Sequence, residues 1–151
     1  MKFNFKRLCT LILITAIAVI SIGCKPETKG PIPLDTTLTD SLKLTKSFEG
    51  KDFIADGIGE VEINRYVDGD TFSVRTSSGI ITIRFLGINT PESTAKVEPW
   101  GKSASNFVKD TLSDATSVVL EAEGERKDST NRRYLAWIWY KTAESDYRLL
   151  N

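Results

Sequence analysis

Histidine is absent from the sequence. With it go imidazole general-base catalysis, Ser-His-Asp triads and every zinc or iron site that needs a ring nitrogen. Cysteine is nearly as scarce, with only Cys9 and Cys24, both close to the N-terminus. There is no excess of either charge, since Lys+Arg and Asp+Glu each number 20. A chain that held nucleic acid by broad phosphate neutralisation would be clearly basic. A nucleic-acid role here has to be local, with a few arginines aimed at one phosphate. The main apolar run, 8–22, is fifteen residues, short of the roughly 20 that a membrane-spanning helix needs. Internal repeats and low-complexity segments are also lacking. Catalysis, if there is any, runs on carboxylates, arginines, lysines, hydroxyls, tyrosines and a hard metal ion.

Residues 1–23 have the composition of a signal peptide. Lys2, Lys6 and Arg7 precede the apolar run and no acid occurs there. The run ends Ser21-Ile22-Gly23-Cys24, and small residues before a cysteine resemble the bacterial lipobox. That resemblance implies lipidation of Cys24, which becomes the first mature residue. Ser21 stands where the pattern favours an aliphatic, and an ordinary secretory signal cleaved nearby is the alternative. Residues 24–59, rich in Thr, Lys, Asp and Gly, read as a lipid-anchored tether, with room for a helical turn around Leu42, Leu44 and Phe48. The expected location is the cell membrane, lipid-anchored and extracytoplasmic, with secretion as the alternative. The mature domain then has no free thiol, disulfide or cysteine metal site. It keeps seventeen basic and twenty acidic side chains, a net charge of −3.

From Glu60 the pattern changes. "VEINRYV" and "TFSVRT" alternate as strands do, and "SSG" turns the chain into "IITIRFL", a third strand of β-branched residues. Pro91, Pro99 and Gly101 mark a loop. Ala104, Phe107, Val108, Leu112 and Ala115 then recur at helical spacing, predicting a helix over 102–114. "SVVLEA" reads as a fourth strand and "GERKDSTNRR" as a charged loop. "YLAWIWY" reads as a fifth strand, with Leu135, Trp137 and Trp139 on one face and Ala136, Ile138 and Tyr140 on the other. Three strands, a helix and two strands predict a mostly β, α+β domain over 60–151. The expected architecture is a five-stranded OB-fold Greek-key barrel with a helix after strand three. Trp100, Trp137 and Trp139 are expected to be core and barrel aromatics.

Asp-Gly between strands is a hairpin signal by itself, so Asp68-Gly69-Asp70-Thr71 needs no function to explain it. Residues further along the chain change that reading. "IRFLGINTPE" carries Arg84, Asn89, Thr90 and Glu92, "WGKSASNFVK" opens the helix, and "RRYLAWIW" carries Arg132 and Arg133. In this order and spacing the motifs resemble the thermonuclease (staphylococcal nuclease) family over roughly 60–151. Phosphodiester hydrolysis needs an activated water, a cation near the nonbridging oxygens and donors that stabilise the charge-rich phosphorane. Asp70 can supply a hard oxygen ligand for Ca²⁺, with the Thr90 carbonyl as another. Glu92, after a proline-stiffened turn, can accept a proton from the attacking water. Arg84 and Arg133 can grip one phosphate with bidentate forks. The resemblance implies the same roles, with Asp70, Asn89 and Thr90 as metal ligands and Arg84, Glu92 and Arg133 as catalytic groups.

Taken singly, Asp70 reads as a hairpin cap, Glu92 as a loop acid, Arg84 as a snorkelling strand residue, and Arg132 and Arg133 as surface charges. Counting back from Leu135-Ala136 selects Arg133 over Arg132. The family usually has aspartate where Asn89 stands. An amide oxygen coordinates without adding charge, so calcium affinity should fall. The family also continues into two helices beyond the point matching Asn151, and the resemblance implies that these are missing here. The implied activity is Ca²⁺-dependent endonucleolytic hydrolysis of DNA and RNA to 3′-phosphate products by a membrane-anchored monomer. The alternative is a noncatalytic OB-like module that binds nucleic acid or another ligand through a degenerate site, favoured by Asn89 and the acidic net charge.

Overall fold

A computed structural model describes residues 41–151. The leader, Cys24 and the tether up to residue 40 lie outside the described residues. Among those described, no helix is long and apolar enough to cross a membrane.

A three-stranded meander builds one half of the domain from β2 (Glu62–Tyr66), β3 (Thr71–Thr76) and β4 (Gly79–Phe85). Alternation decides which side chains face inward. Phe72 and Val74 of β3 and Ile83 and Phe85 of β4 are buried, with Phe72 registered against Ile83 and Val74 against Ile81. Gly79 takes a φ of 108° to turn the β3–β4 hairpin. After a loop, helix α2 (Gly101–Ser113) leads into β5 (Ser117–Glu121) and β6 (Tyr134–Lys141). Strand β6 lies parallel to β4, with Ile83 opposite Tyr134 and Arg84 opposite Leu135, and antiparallel to β5. A short β7 (Arg148–Leu149) adds to β6.

The sheet order is β1-β5-β6-β4-β3-β2, where β1 is Ile58–Glu60. Its two outermost members are therefore consecutive in the chain, separated by Val61 alone. Strand β1 pairs with β5, and the Val61 N–H donates to Val118 O at 2.9 Å. One residue later the same strand pairs with β3. A register shift between Ile63 and Arg65 adds the bend that closure needs. Counted as one bent strand, β1–β2 makes the five strands of a closed OB barrel, with α2 after the third. The expected fold class is what the chain adopts.

The barrel core gathers Phe53, Phe72, Val74, Ile83, Phe85, Leu120, Ala136 and Ile138, with Val108 and Leu112 of α2 sealing one end. A second cluster joins Ile58, Val119 and Trp139 to Leu44, Phe48, Trp137, Tyr147 and Leu149. The two faces of β6 divide as its alternation indicates.

Four features differ from the sequence pattern. Residues 53–59, assigned there to the tether, form α1 (Phe53–Asp56) and β1. Phe53 is 1 % exposed, and burying a phenylalanine contributes about 1.5–3 kcal/mol. Asp52 caps α1 by accepting from the N–H groups of Ile54 and Ala55 at 2.9 and 3.1 Å. The pattern missed this region because a four-residue helix and a three-residue strand are too short to show a period. The other differences are Phe107, turned to solvent because the 104–108–112 row faces the barrel, Trp100, which is not a core aromatic, and the unforeseen β7.

Candidate active site

The Asp-Gly-Asp turn both turns the chain and organises the site. Beyond β2 the N–H groups of Val67 and Asp68 both donate to Thr71 O at 3.1 Å, folding 67–71 back on itself. This sinks Asp70 to 1 % exposure, where an unpaired carboxylate would be costly. Both of its carboxylate oxygens are satisfied. Asp70 Oδ1 accepts from Thr71 Oγ1 at 3.0 Å and from the Arg84 guanidinium, and Oδ2 accepts from the Thr90 N–H at 2.7 Å. Phe85 N–H donates to Asp70 O at 2.9 Å, fixing the backbone to β4. Asp68 is also buried, and its Oδ1 accepts from the Asp70 N–H at 3.3 Å. Burial, reinforced by the neighbouring Asp70 carboxyl, pushes the Asp68 carboxyl above the usual carboxylate range.

Arg84 spans the site. It leaves β4 one residue before the strand ends, and donates from Nη1 to Asp70 Oδ1 and from Nη2 to Asn89 Oδ1. A guanidinium presents its donors in a fixed fork, so both oxygens converge on one cation. Thr90, next in the chain, delivers its N–H to Asp70, while its own Oγ1 is buried with no hydrogen-bond partner among the described residues. Glycine at 69 lets these segments meet. A Cβ there would lie 2.6 Å from Ala104 Cβ and 2.8 Å from Thr90 Oγ1.

Glu92 is held by its backbone and left free at its carboxylate. Its N–H donates to Glu98 Oε2 at 3.0 Å, and its carbonyl accepts from the Glu98 N–H at 2.9 Å. The start of α2 presses on the same peptide, since a Cβ on Gly101 would stand 2.0 Å from Glu92 O. The Glu92 side chain is solvent-exposed and carries no hydrogen bond or ion pair among the described residues.

Asp70, Arg84, Asn89 and Thr90 are thus brought together, with Glu92 two residues beyond. Arg133 is not joined to them. Its Nε donates to Asp128 Oδ2 at 2.7 Å inside the 122–133 loop, and no hydrogen bond among the described residues ties it to Asp70 or Asn89. The parallel register still puts Arg133 two positions from Leu135, the partner of Arg84. Arg133 itself lies in the bend just before β6. Arg132 gives only its backbone N–H to Asp128, at 3.2 Å.

Asp128 is the organiser of this loop, and nothing in the sequence singled it out. The Arg133 guanidinium, then the Thr130 hydroxyl and the N–H groups of Arg133 and Arg132, hold its carboxyl well below the usual carboxylate range. A carboxyl depressed by folding stabilises the folded state above its unfolded pKa, and that contribution fades as pH falls through the folded value. The stability difference between wild type and Asp128→Asn should therefore be constant from neutrality to about pH 4 and shrink below it. Acid titration of the urea midpoint measures this, and a difference that persists unchanged in strong acid would remove the ion pair as its cause.

Among the described residues no three His, Cys, Asp or Glu side chains cluster as a metal site. The donors at the Arg84 fork are all oxygens, one carboxylate and one amide, with the orphaned Thr90 hydroxyl nearby. Hard oxygen donors suit Ca²⁺ or Mg²⁺ and not a thiophilic or imidazole-seeking metal. In this arrangement the Arg84 guanidinium occupies both Asp70 Oδ1 and Asn89 Oδ1, so a hard cation would have to displace the fork to use them.

Residues 82–150 match the family described as "Staphylococcal nuclease homologue". That span contains Arg84, Asn89, Thr90, Glu92 and Arg133 and leaves Asp70 outside. The chain is 31% identical over 137 residues to a thermonuclease of Staphylococcus intermedius, covering 89% of this chain and 71% of that protein. It is 36% identical over 81 residues to a thermonuclease of Staphylococcus hyicus, covering 52% of this chain and 47% of the relative. A third similar protein is the SPbeta prophage-derived endonuclease YokF of Bacillus subtilis, 32% identical over 83 residues, 53% of this chain and 28% of that one.

Proposed function

The chain belongs to the staphylococcal nuclease family, and from that membership together with the site geometry we propose that it is a phosphodiester hydrolase acting on DNA and RNA. The observation that carries the reading is the Asp70–Arg84–Asn89 cluster, a buried carboxylate and an arginine fork assembled where two strands and a loop meet. Its relatives are named thermonuclease and endonuclease.

Each residue has a part that its position permits. The exposed Glu92 carboxylate, on a backbone fixed at both N–H and C=O, is placed to take a proton from a water attacking phosphorus. Arg84 and Arg133 supply donors to the nonbridging oxygens as charge accumulates in the pentacovalent state. Asp70, Asn89 and the Thr90 carbonyl would hold Ca²⁺, which when bound supplies Lewis-acid stabilisation of that same charge. In-line attack with departure of the 5′-oxygen leaves a 3′-phosphate. The location we propose is extracytoplasmic, on the membrane through lipid at Cys24, and membrane fractionation of wild type beside Cys24→Ser tests it.

The function is tested by incubating the purified protein with single-stranded DNA and RNA, with Ca²⁺ and with chelator. Cleavage with calcium, lost with chelator and in Glu92→Gln, is the expected result. Binding without cleavage in both conditions would favour a noncatalytic module. The calcium dependence should also betray the amide ligand. Asn89→Asp adds a second charge at the fork, so the calcium titration should shift to lower concentration. An unchanged midpoint would take Asn89 out of the coordination shell.

A further inference from the structure

Trp100 breaks three local rules. It is the N-cap of α2, yet its side chain makes no capping hydrogen bond, a place where Ser, Thr, Asp or Asn would satisfy an orphan N–H. Its φ is 70°, an outlier for a bulky side chain. Its indole is 79 % exposed, so no packing compensates for either cost. Residues that violate local preference without structural return mark functional positions.

The position of Trp100 says which function. Its neighbour Gly101 lies against the Glu92 carbonyl, and its own carbonyl accepts the first helical N–H, from Ala104, whose Cβ bounds the Gly69 turn. The indole is therefore mounted on the two contacts that join α2 to the active site. In sequence it is flanked by exposed Lys96, Glu98 and Lys102, and the Glu98 carboxylate accepts from the Glu92 N–H at 3.0 Å. A bare aromatic face on the segment that joins the Glu92 loop to α2 is the kind of platform on which a single-stranded base stacks.

We propose that Trp100 stacks an unpaired nucleobase of the bound strand and so helps to hold the substrate at the site. The inference rests on the nuclease reading of the site. A paired base has its faces covered by its neighbours, so only an unpaired or terminal base can use the platform.

The test compares an oligothymidylate with an abasic strand of equal phosphate number, using wild type, Trp100→Asn and Trp100→Phe. Asparagine tolerates positive φ and caps helices well, so Trp100→Asn should be as stable as wild type or more so. It should nonetheless raise KM for oligothymidylate roughly 5- to 150-fold, the range of one base–aromatic stack. Its kcat, and its KM for the abasic strand, should hardly change, and Trp100→Phe should recover most of the affinity. An unchanged KM for oligothymidylate, or an equal loss on both strands, would overturn the proposal. So would a Trp100-dependent affinity for anionic lipid vesicles with no effect on oligonucleotides. Should wild type cut neither strand, the nuclease reading fails by itself. Fluorescence anisotropy in chelator then decides the platform: a preference for the base-bearing strand that vanishes in Trp100→Asn upholds it, and no such preference ends it.

Discussion

Asp70→Asn should cost about 3–5 kcal/mol of folding stability and remove nuclease activity altogether. The carboxylate is 1 % exposed and accepts from Thr71 Oγ1, the Thr90 N–H and the Arg84 guanidinium. An amide has one acceptor oxygen and turns its NH₂ toward at least one of these donors. Arg84, whose side chain is only 16 % exposed, then has no anion to balance it. Stranding one member of a buried pair is far more damaging than replacing both. Against a total stability of ~5–15 kcal/mol for a domain of this kind, the loss is a large fraction. Urea unfolding followed by tryptophan fluorescence measures it, and the double variant Asp70→Asn with Arg84→Met should be less destabilised than the single changes would sum to. A single variant within about 1 kcal/mol of wild type would mean that water reaches the pair.

Gly101→Ala should be nearly as harmful, and against the intrinsic trend. In a helix alanine is favoured over glycine by roughly 1 kcal/mol. Here the new methyl would sit 2.0 Å from Glu92 O, 2.6 Å from Glu92 C and 3.0 Å from Ser93 N. All three are backbone atoms, so no rotamer change relieves the clash. Either α2 withdraws or the Glu92 peptide moves by about 1 Å, and a displacement of that size at a reacting group costs on the order of 100-fold in rate. Overpacking of this kind usually costs ~1–3 kcal/mol. Gly79→Ala is a useful contrast, because a Cβ there meets nothing within 4 Å and only its φ of 108° opposes the change. The measurements are kcat and the thermal midpoint. A Gly101→Ala protein with wild-type values for both would show that α2 does not press on the catalytic loop.

The barrel was legible because its strands carry the alternation that burial on one face demands. Phe72-Ser73-Val74 and Ala136-Trp137-Ile138 announce their inward faces, and Val108 and Leu112 announce the helix. Of the candidate site, the sequence showed an order of motifs, and the register of two strands and a loop is what brings Asp70, Arg84, Asn89 and Thr90 together while leaving Arg133 on Asp128. What stayed hidden has no period. Phe53 and Ile58 belong to elements too short for a pattern. Asp128 makes its contacts within five residues of a polar loop, where any acid looks alike. Gly69 and Gly101 are needed for the space that they leave, and close approach of distant segments writes nothing into the local sequence. Trp100 defeats the pattern for a simple reason: an aromatic is ordinarily buried, and composition cannot reveal a φ of 70°.

The bend at Val61 also dictates an order of assembly. The meander β2–β3–β4 can zip from neighbouring hairpins as soon as those residues are available. Strand β1 has no partner until β5 arrives some sixty residues later. A chain that emerges N-terminus first must therefore hold Ile58–Glu60 unpaired through synthesis or transit, and can seal its barrel only after Val118 and Val119 are present. Until then the Phe72 and Ile83 side of the meander is uncovered, a sticky half-shell exposed to aggregation or to a chaperone's grip. The same bend that completes the ring thus postpones its closure until nearly all of the barrel has been made.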